Sequence, residues 1–330
     1  MVEARSMPQL VIVSPALRDA NNGNWQTAQR WQRHLAGDYA ARIVRQWPSA
    51  LACDDAVMIA LHARRSADSI AAWAKEHPGR GLAVVLTGTD LYRDIAVDES
   101  ARRSLQLAQT LVVLQEAAPE ALAAELRRKC RVIYQSTTSR KTLPKPSRRL
   151  RAVMVGHLRE EKSPETLFAA ARLLKAHGDI HIDHIGDPLD PALGKLAQAT
   201  MRAAPNYRWL GGLSHEETRR RIQRAHLLIH CSRMEGGAHV IMEAAACGTP
   251  VLASDITGNV GMLGADYAGY FPWGDAAALA ALILRCRNAD GTDKLLAKLQ
   301  RQCAKRAPLF APEAERAALR KLVRELLAGR

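Results

Sequence analysis

Aromatic side chains make up only 5% of the 330 residues, and acidic residues number 33 against 47 basic ones. The formal charge of +14 suits an anionic ligand, a nucleic acid or an acidic membrane surface. Without segments that interleave basic and aromatic residues there is no stacking platform for single strands, so nucleic acid is not an expected partner. No uncharged apolar stretch approaches the ~20 residues that cross a bilayer, and no apolar signal-peptide core opens the chain. The expectation is therefore a soluble, cytoplasmic protein without stable membrane association. Six cysteines occur without a C-x-x-C pair, which argues against a zinc ribbon or a dithiol redox centre. His181, Asp183 and His184 alternate with Ile180, Ile182 and Ile185, so they read as part of a strand and not as metal ligands. The expected metal and cofactor complement is none.

What the sequence does contain is alternation. Leu10 to Val13, Ala56 to Leu61, Leu82 to Leu86, Thr110 to Leu114 and Arg131 to Tyr134 are short apolar runs, with helical spacing between them at Trp25 to Leu35, Ser66 to Lys75 and Pro119 to Lys129. Buried strands alternating with helices imply a parallel sheet covered on both faces. Between Ser139 and Arg151, six basic residues and two prolines disfavour both helix and strand, and the linker is placed at 141–151. The alternation then restarts with Ala152 to Val155, Ile180 to Ile185, Leu227 to His230, Pro250 to Ala253 and Gly269 to Phe271, and Ala314 to Leu327 has the spacing of a surface helix. The expected organisation is α/β: a doubly wound Rossmann-like domain at 7–140, a second at 152–310, and a helix at 311–330. Ligands of such sheets bind at the C-terminal strand ends, so the site is expected in the cleft between two facing domains.

The most informative segment runs from Ser232 to Ala253. A strand ends, Gly236 and Gly237 follow, and a helix begins, so backbone can approach a ligand closely and free N–H groups can meet an anion. Glu235 and Glu243, eight residues apart, cannot share a helical face and must act differently. A second segment, Val155-Gly156-His157-Leu158-Arg159-Glu160-Glu161-Lys162, lies between a strand and a helix.

These residues resemble glycosyltransferase family 4 of the GT-B fold, in which two glutamates separated by seven residues precede A-x-G-x-P-V. The resemblance implies that Glu235 lies against a donor sugar and Glu243 takes ribose hydroxyls, with the backbone of Gly236, Gly237, Ala238 and His239 near the diphosphate. Lys162 matches the family's phosphate-binding lysine beside Gly156. His157, itself an expected donor-side residue, stands where the family carries arginine, so that guanidinium contact is either missing or supplied by Arg159. The base is expected against the loop around Leu213. The chain has no D-x-D triplet, so cationic side chains and helix termini, not a metal, are expected to hold the diphosphate.

In the N-terminal half, Asn22, Gly23 and Asn24 follow the first strand, His62 with Arg64 and Arg65 follows another, and Thr89, Asp90 and Arg93 follow a third. These are the expected acceptor-side residues, with His62 a candidate for orienting the acceptor beside Lys162 and Glu235 in catalysis. The wording LTGTDLYRDI, LVVLQ and VGHLREEKSPETL is similar to the selenosugar synthases of selenoneine biosynthesis, a compact GT-B branch of about this length. That resemblance implies transfer from UDP-GlcNAc or UDP-glucose to selenophosphate, forming a C–Se bond and releasing UDP and phosphate. A small multiply charged acceptor suits several arginines. A conventional family 4 enzyme acting on a hydroxyl acceptor is the alternative, and a nucleotide-sugar binding protein without turnover is the second.

Overall fold

The computed structural model describes residues 7–17, 23–49, 52–287 and 292–329. The chain divides into two compact units, one of residues 1–135 with 312–330 and the other of residues 136–311.

The first unit is built on a six-stranded parallel sheet: β1 (Gln9–Val13), β2 (Ala40–Val44), β3 (Asp55–Leu61), β4 (Leu82–Leu86), β5 (Thr110–Val113) and β6 (Cys130–Val132). Spatial order is β2-β1-β3-β4-β5-β6. Central strands are buried because helices cover both faces, which is why they read as unbroken apolar runs. Edge strand β2 has no such run: its five residues are all half-buried and Arg42 interrupts them, so alternation of elements alone does not reveal it. The helical spacing at Pro119 to Lys129 does not become one helix. A 3₁₀ turn (Ala118–Ala121) and a short helix (Ala124–Arg127) are separated by extended backbone at Leu122, whose side chain is drawn into the core and whose carbonyl accepts from Arg127 Nε at 2.8 Å.

The last helix, Pro312–Leu327, belongs to this first unit. Leu319, Leu322, Val323 and Leu326 enter the core with Trp31 and Leu35 of helix Gly23–Leu35. Glu315 is buried at the junction and accepts from Arg30 Nε at 2.8 Å and Trp31 Nε1 at 2.7 Å.

The second unit repeats the plan with β7 (Leu150–Val155), β8 (Ile180–Ile185), β9 (Tyr207–Trp209), β10 (Leu227–His230), β11 (Val251–Ser254) and β12 (Tyr270–Phe271), in the order β12-β11-β10-β7-β8-β9 and all parallel. The basic stretch before β7 is fastened to this unit: Arg140 N donates to Ala246 O, Gln223 Nε2 to Lys141 O, and Lys145 Nζ to Thr249 Oγ1. Strand order reverses between β1 and β3 in the first sheet and between β7 and β10 in the second, and the crevice of a doubly wound sheet opens at such a point. Among the described residues, no helix is long and apolar enough to cross a membrane.

Candidate functional site

In the second unit, the loops leaving β7 and β10 meet at the reversal. Lys162 ends the β7 loop and Glu235 lies in the β10 loop, 73 residues later, with Nζ and Oε1 2.5 Å apart. Gly156 lies beside the Lys162 stem, and a Cβ there would meet it in ordinary van der Waals contact at 3.4 Å. Arg233 N donates to Glu161 O at 3.0 Å and its guanidinium pairs with Glu160 at 2.7 Å, which ties the two loops together. Burial works to raise the Glu235 carboxyl. The Lys162 ammonium, the foremost opposing influence, outweighs it and holds the group well below the usual carboxylate range. His230 Nε2 lies 3.2 Å from Glu235 Oε1 yet makes no hydrogen bond, and Ser232 Oγ is likewise buried without a partner. Beneath them Gly258 is in contact: a Cβ on it would stand 2.1 Å from the Glu235 carbonyl oxygen.

Glu243 lies in helix His239–Ala245 and is buried. Its Oε1 sits 2.6 Å from His215 Nε2, 3.7 Å from His239 Nε2 and 3.9 Å from Arg219 Nε. The Glu243 hydrogen bond raises the His215 ring against the opposing effect of burial. Glu235 and Glu243 are thus held by different partners, one by a lysine and the other by a histidine and a buried arginine. Gly236, Gly237 and Ala238 lead into that helix, Ala238 at its N-cap. Leu213 precedes Ser214, whose Oγ caps helix His215–Arg224 by accepting from Glu217 N at 3.2 Å. His157 accepts from Asp187 N at 3.0 Å through Nδ1, and exposed Arg159 stands 3.9 Å from Glu161.

Beneath the β7 loop is a buried relay whose histidine the isoleucine alternation marks only as part of a strand. His184 Nδ1 is 2.9 Å from Tyr207 Oη and its Nε2 is 3.3 Å from Gly156 O. With the ring proton on Nε2, the tyrosine donates to the imidazole and the imidazole donates to the loop carbonyl. Burial pushes His184 down to about 4, from 6.5 for an ordinary histidine. Below pH 6.5 the unfolded chain binds a proton that the folded state refuses, so the stability contributed at neutral pH is lost as pH falls from about 6.5 to about 4. The loss is about 3 kcal/mol. Urea unfolding at pH 7, 5.5 and 4.5 checks it: the stability gap between the parent and His184→Gln is expected to narrow on acidification, and a constant gap is the contrary result.

In the first unit the reversal lies between β1 and β3. Asn22 lies outside the described residues; Gly23 opens helix Gly23–Leu35 and Asn24 follows in its first turn. His62, just past β3, is buried with φ 73°, a left-handed conformation that a histidine adopts at a cost. Its Nε2 is 3.2 Å from Thr89 Oγ1, and burial lowers its basicity against the nearby Asp90. Asp90 is wholly buried: Oδ1 accepts from Thr87 N, Gly88 N and Leu91 N, and Oδ2 from Ala63 N. It therefore anchors the loop from beneath. Arg64 Nε donates to Asp94 Oδ2 at 2.8 Å and Arg93 Nε to Oδ1 at 3.3 Å, while Arg65 is exposed. Burial works to raise the Asp94 carboxyl, but hydrogen bonds from these two arginines hold it low. Asp94, absent from the residues expected at the site, thus collects two of the arginines expected to face an acceptor.

The family described as "Glycosyl transferases group 1" matches residues 135–308. The amylovoran biosynthesis glycosyltransferase AmsK of Erwinia amylovora is 33% identical over 151 residues, 43% of this chain and 37% of AmsK. The chain therefore matches little more than a third of that relative's length. Two solved structures are similar over nearly the whole fold. Sucrose-phosphate synthase of Thermosynechococcus elongatus has a TM-score of 0.74 at 19% identity, covering 98% of this chain and 100% of its own. Anabaena HepE in complex with UDP has 0.75 at 16%, covering 97% and 100%. At such identities the likeness is one of fold.

Proposed function

The chain belongs to the glycosyl transferases group 1, and on that premise we propose that it transfers a hexosyl group from a UDP-sugar to selenophosphate. The observation that carries the donor half is the largely buried Lys162–Glu235 pair where the second sheet reverses, with Ser232 Oγ and His230 Nε2 beside it unsatisfied. Lys162 supplies charge to the departing diphosphate, and Glu235, kept ionised by that lysine, accepts from a sugar hydroxyl. Gly156, His157, Arg159 and the backbone of Gly236 to His239 surround the phosphates. Glu243 accepts from the ribose hydroxyls, and Leu213 lies against the base. UDP as the nucleotide carrier draws on the UDP complex of HepE.

On the acceptor side, Gly23, Asn24, Arg64, Arg65, Thr89 and Arg93 orient the selenophosphate, and His62 positions the acceptor through Thr89. Selenium attacks the anomeric carbon as the C–O bond to the diphosphate breaks, and the electron pair leaves with UDP. Water then opens the Se–P bond, giving phosphate and the selenosugar. Support for this acceptor is the resemblance to the selenosugar synthases and the arginine-rich loops.

A second reading, transfer to a hydroxyl, has its own observation: Arg64 and Arg93 both donate to Asp94, which lowers the charge available to a multiply charged acceptor. The experiment is product analysis by mass spectrometry with UDP-GlcNAc or UDP-glucose against selenophosphate and a panel of sugar and lipid hydroxyls. A selenosugar is the expected product. Transfer to a hydroxyl with none to selenophosphate would overturn the first reading in favour of the second.

A further inference from the structure

The second sheet has another end. Where β7, β8 and β9 begin, away from the loops of the donor site, lies a cavity of about 530 Å³. Parallel sheets are ordinarily apolar on both faces, yet here one face turns polar. Arg151 stands opposite His181, and Asp183 opposite Arg208, in the strand register, and these side chains are exposed or half-buried. Arg221 and Arg224, in the last turn of helix His215–Arg224, close one side, and Arg149 another.

Charge in this cavity is unbalanced. Five arginines line it against one carboxylate, Asp183. Asp183 is already engaged, at 3.0 and 3.2 Å to Arg208 and 3.3 Å to Arg221, so it fixes two guanidinium groups in place. Arg149, Arg151 and Arg224 have no carboxylate partner among the described residues. Arg221 is further balanced by Glu217 at 3.0 Å, so the uncompensated charge is that of Arg149, Arg151 and Arg224. Three such guanidinium groups around one concavity repel one another, and a folded protein gains from the arrangement when a polyanion supplies the missing charge. The volume lies in the range of small-molecule sites. The same cavity presents a buried acceptor: Asn206 is only 7% exposed, its Oδ1 has no hydrogen-bond partner, and the residue lines the wall.

We propose that this cavity is a second ligand site, separate from the donor site at the opposite strand ends, and that it binds a small polyanion bearing two or more phosphate groups and a hydroxyl or N–H donor. Guanidinium groups grip the phosphates, and Asn206 Oδ1 accepts from the donor group.

Inorganic tripolyphosphate is the probe, titrated calorimetrically into the full chain with the donor site saturated by UDP. One equivalent is expected to bind. In Arg151→Gln/Arg224→Gln, affinity is expected to fall about 100-fold, roughly tenfold for each guanidinium removed. Both side chains are exposed and lack a carboxylate partner, so the double variant should retain the parent's unfolding midpoint; if it does not, the single variant Arg224→Gln, about tenfold weaker, takes its place. Failure to bind, competition with UDP, or unaltered affinity in the variants would each refute the site. A single-stranded oligothymidylate distinguishes a nucleic-acid surface: binding tighter than that of tripolyphosphate and dependent on the same arginines also overturns the proposal.

Discussion

Lys162→Ala is expected to lower kcat/KM for a UDP-sugar by about 10²–10³-fold, the loss typical of a preorganised group aimed at charge that develops in the transition state. The substitution has a second consequence because Nζ lies 2.5 Å from Glu235 Oε1. Glu235 is largely buried, and the lysine is the foremost influence that opposes burial and holds its carboxyl low. Without it the carboxyl rises toward protonation, and on the proposed reading the variant loses the sugar-side acceptor together with the phosphate-side cation. That pair contributes stability above the ordinary carboxylate pKa, and the contribution fades as pH falls through the depressed value. The variant should therefore lack this acid-dependent part of the unfolding profile. Lys162→Arg, which keeps the charge with altered geometry, should restore part of the stability and little of the turnover. Steady-state UDP release and urea unfolding at pH 7, 4 and 3 check both halves, the parent's loss growing as pH falls below the ordinary carboxylate value. Near-native turnover in Lys162→Ala would place the diphosphate elsewhere.

Glu315→Gln is expected to destabilise the first unit by about 3–5 kcal/mol, the cost of removing one member of a buried, hydrogen-bonded ion pair. The carboxylate lies between the final helix and helix Gly23–Leu35, where Arg30 and Trp31 donate to it and His34 Nε2 stands 3.3 Å away. An amide has one acceptor oxygen in place of two and turns two N–H donors toward a guanidinium. Since Leu319, Leu322, Val323 and Leu326 of the same helix fill the core against Trp31 and Leu35, loosening this junction exposes apolar surface as well. Urea unfolding followed by tryptophan fluorescence measures the change, because Trp31 is fully buried there. A loss under about 1 kcal/mol would mean that apolar packing alone holds the helix.

Much of this molecule is legible in local pattern. Leu82–Leu86 and Leu227–His230 are apolar because helices cover both faces of a parallel sheet, and that demand acts on consecutive residues, so it leaves a mark on consecutive letters. β2, with Arg42 at its centre, escaped because an edge strand has only to be half-buried. The break at Leu122 escaped for a related reason: the pull of the core on one side chain overrides helical spacing without changing it.

For the site, the chain's letters alone say which residue types stand at the strand ends: a glycine and a lysine after one strand, two glutamates eight apart after another, a histidine and arginines after a third. Those choices are local, since loop conformation and helix starts depend on near neighbours. Tertiary structure alone decided the pairings. It set Lys162 against Glu235 across 73 residues, gave Glu243 to His215 and Arg219, buried Asp90 beneath its own loop, and turned Arg64 and Arg93 onto Asp94. A carboxylate's role depends on the charge that folding brings within a few ångströms of it, and Coulomb interactions follow distance in space, not separation along the chain.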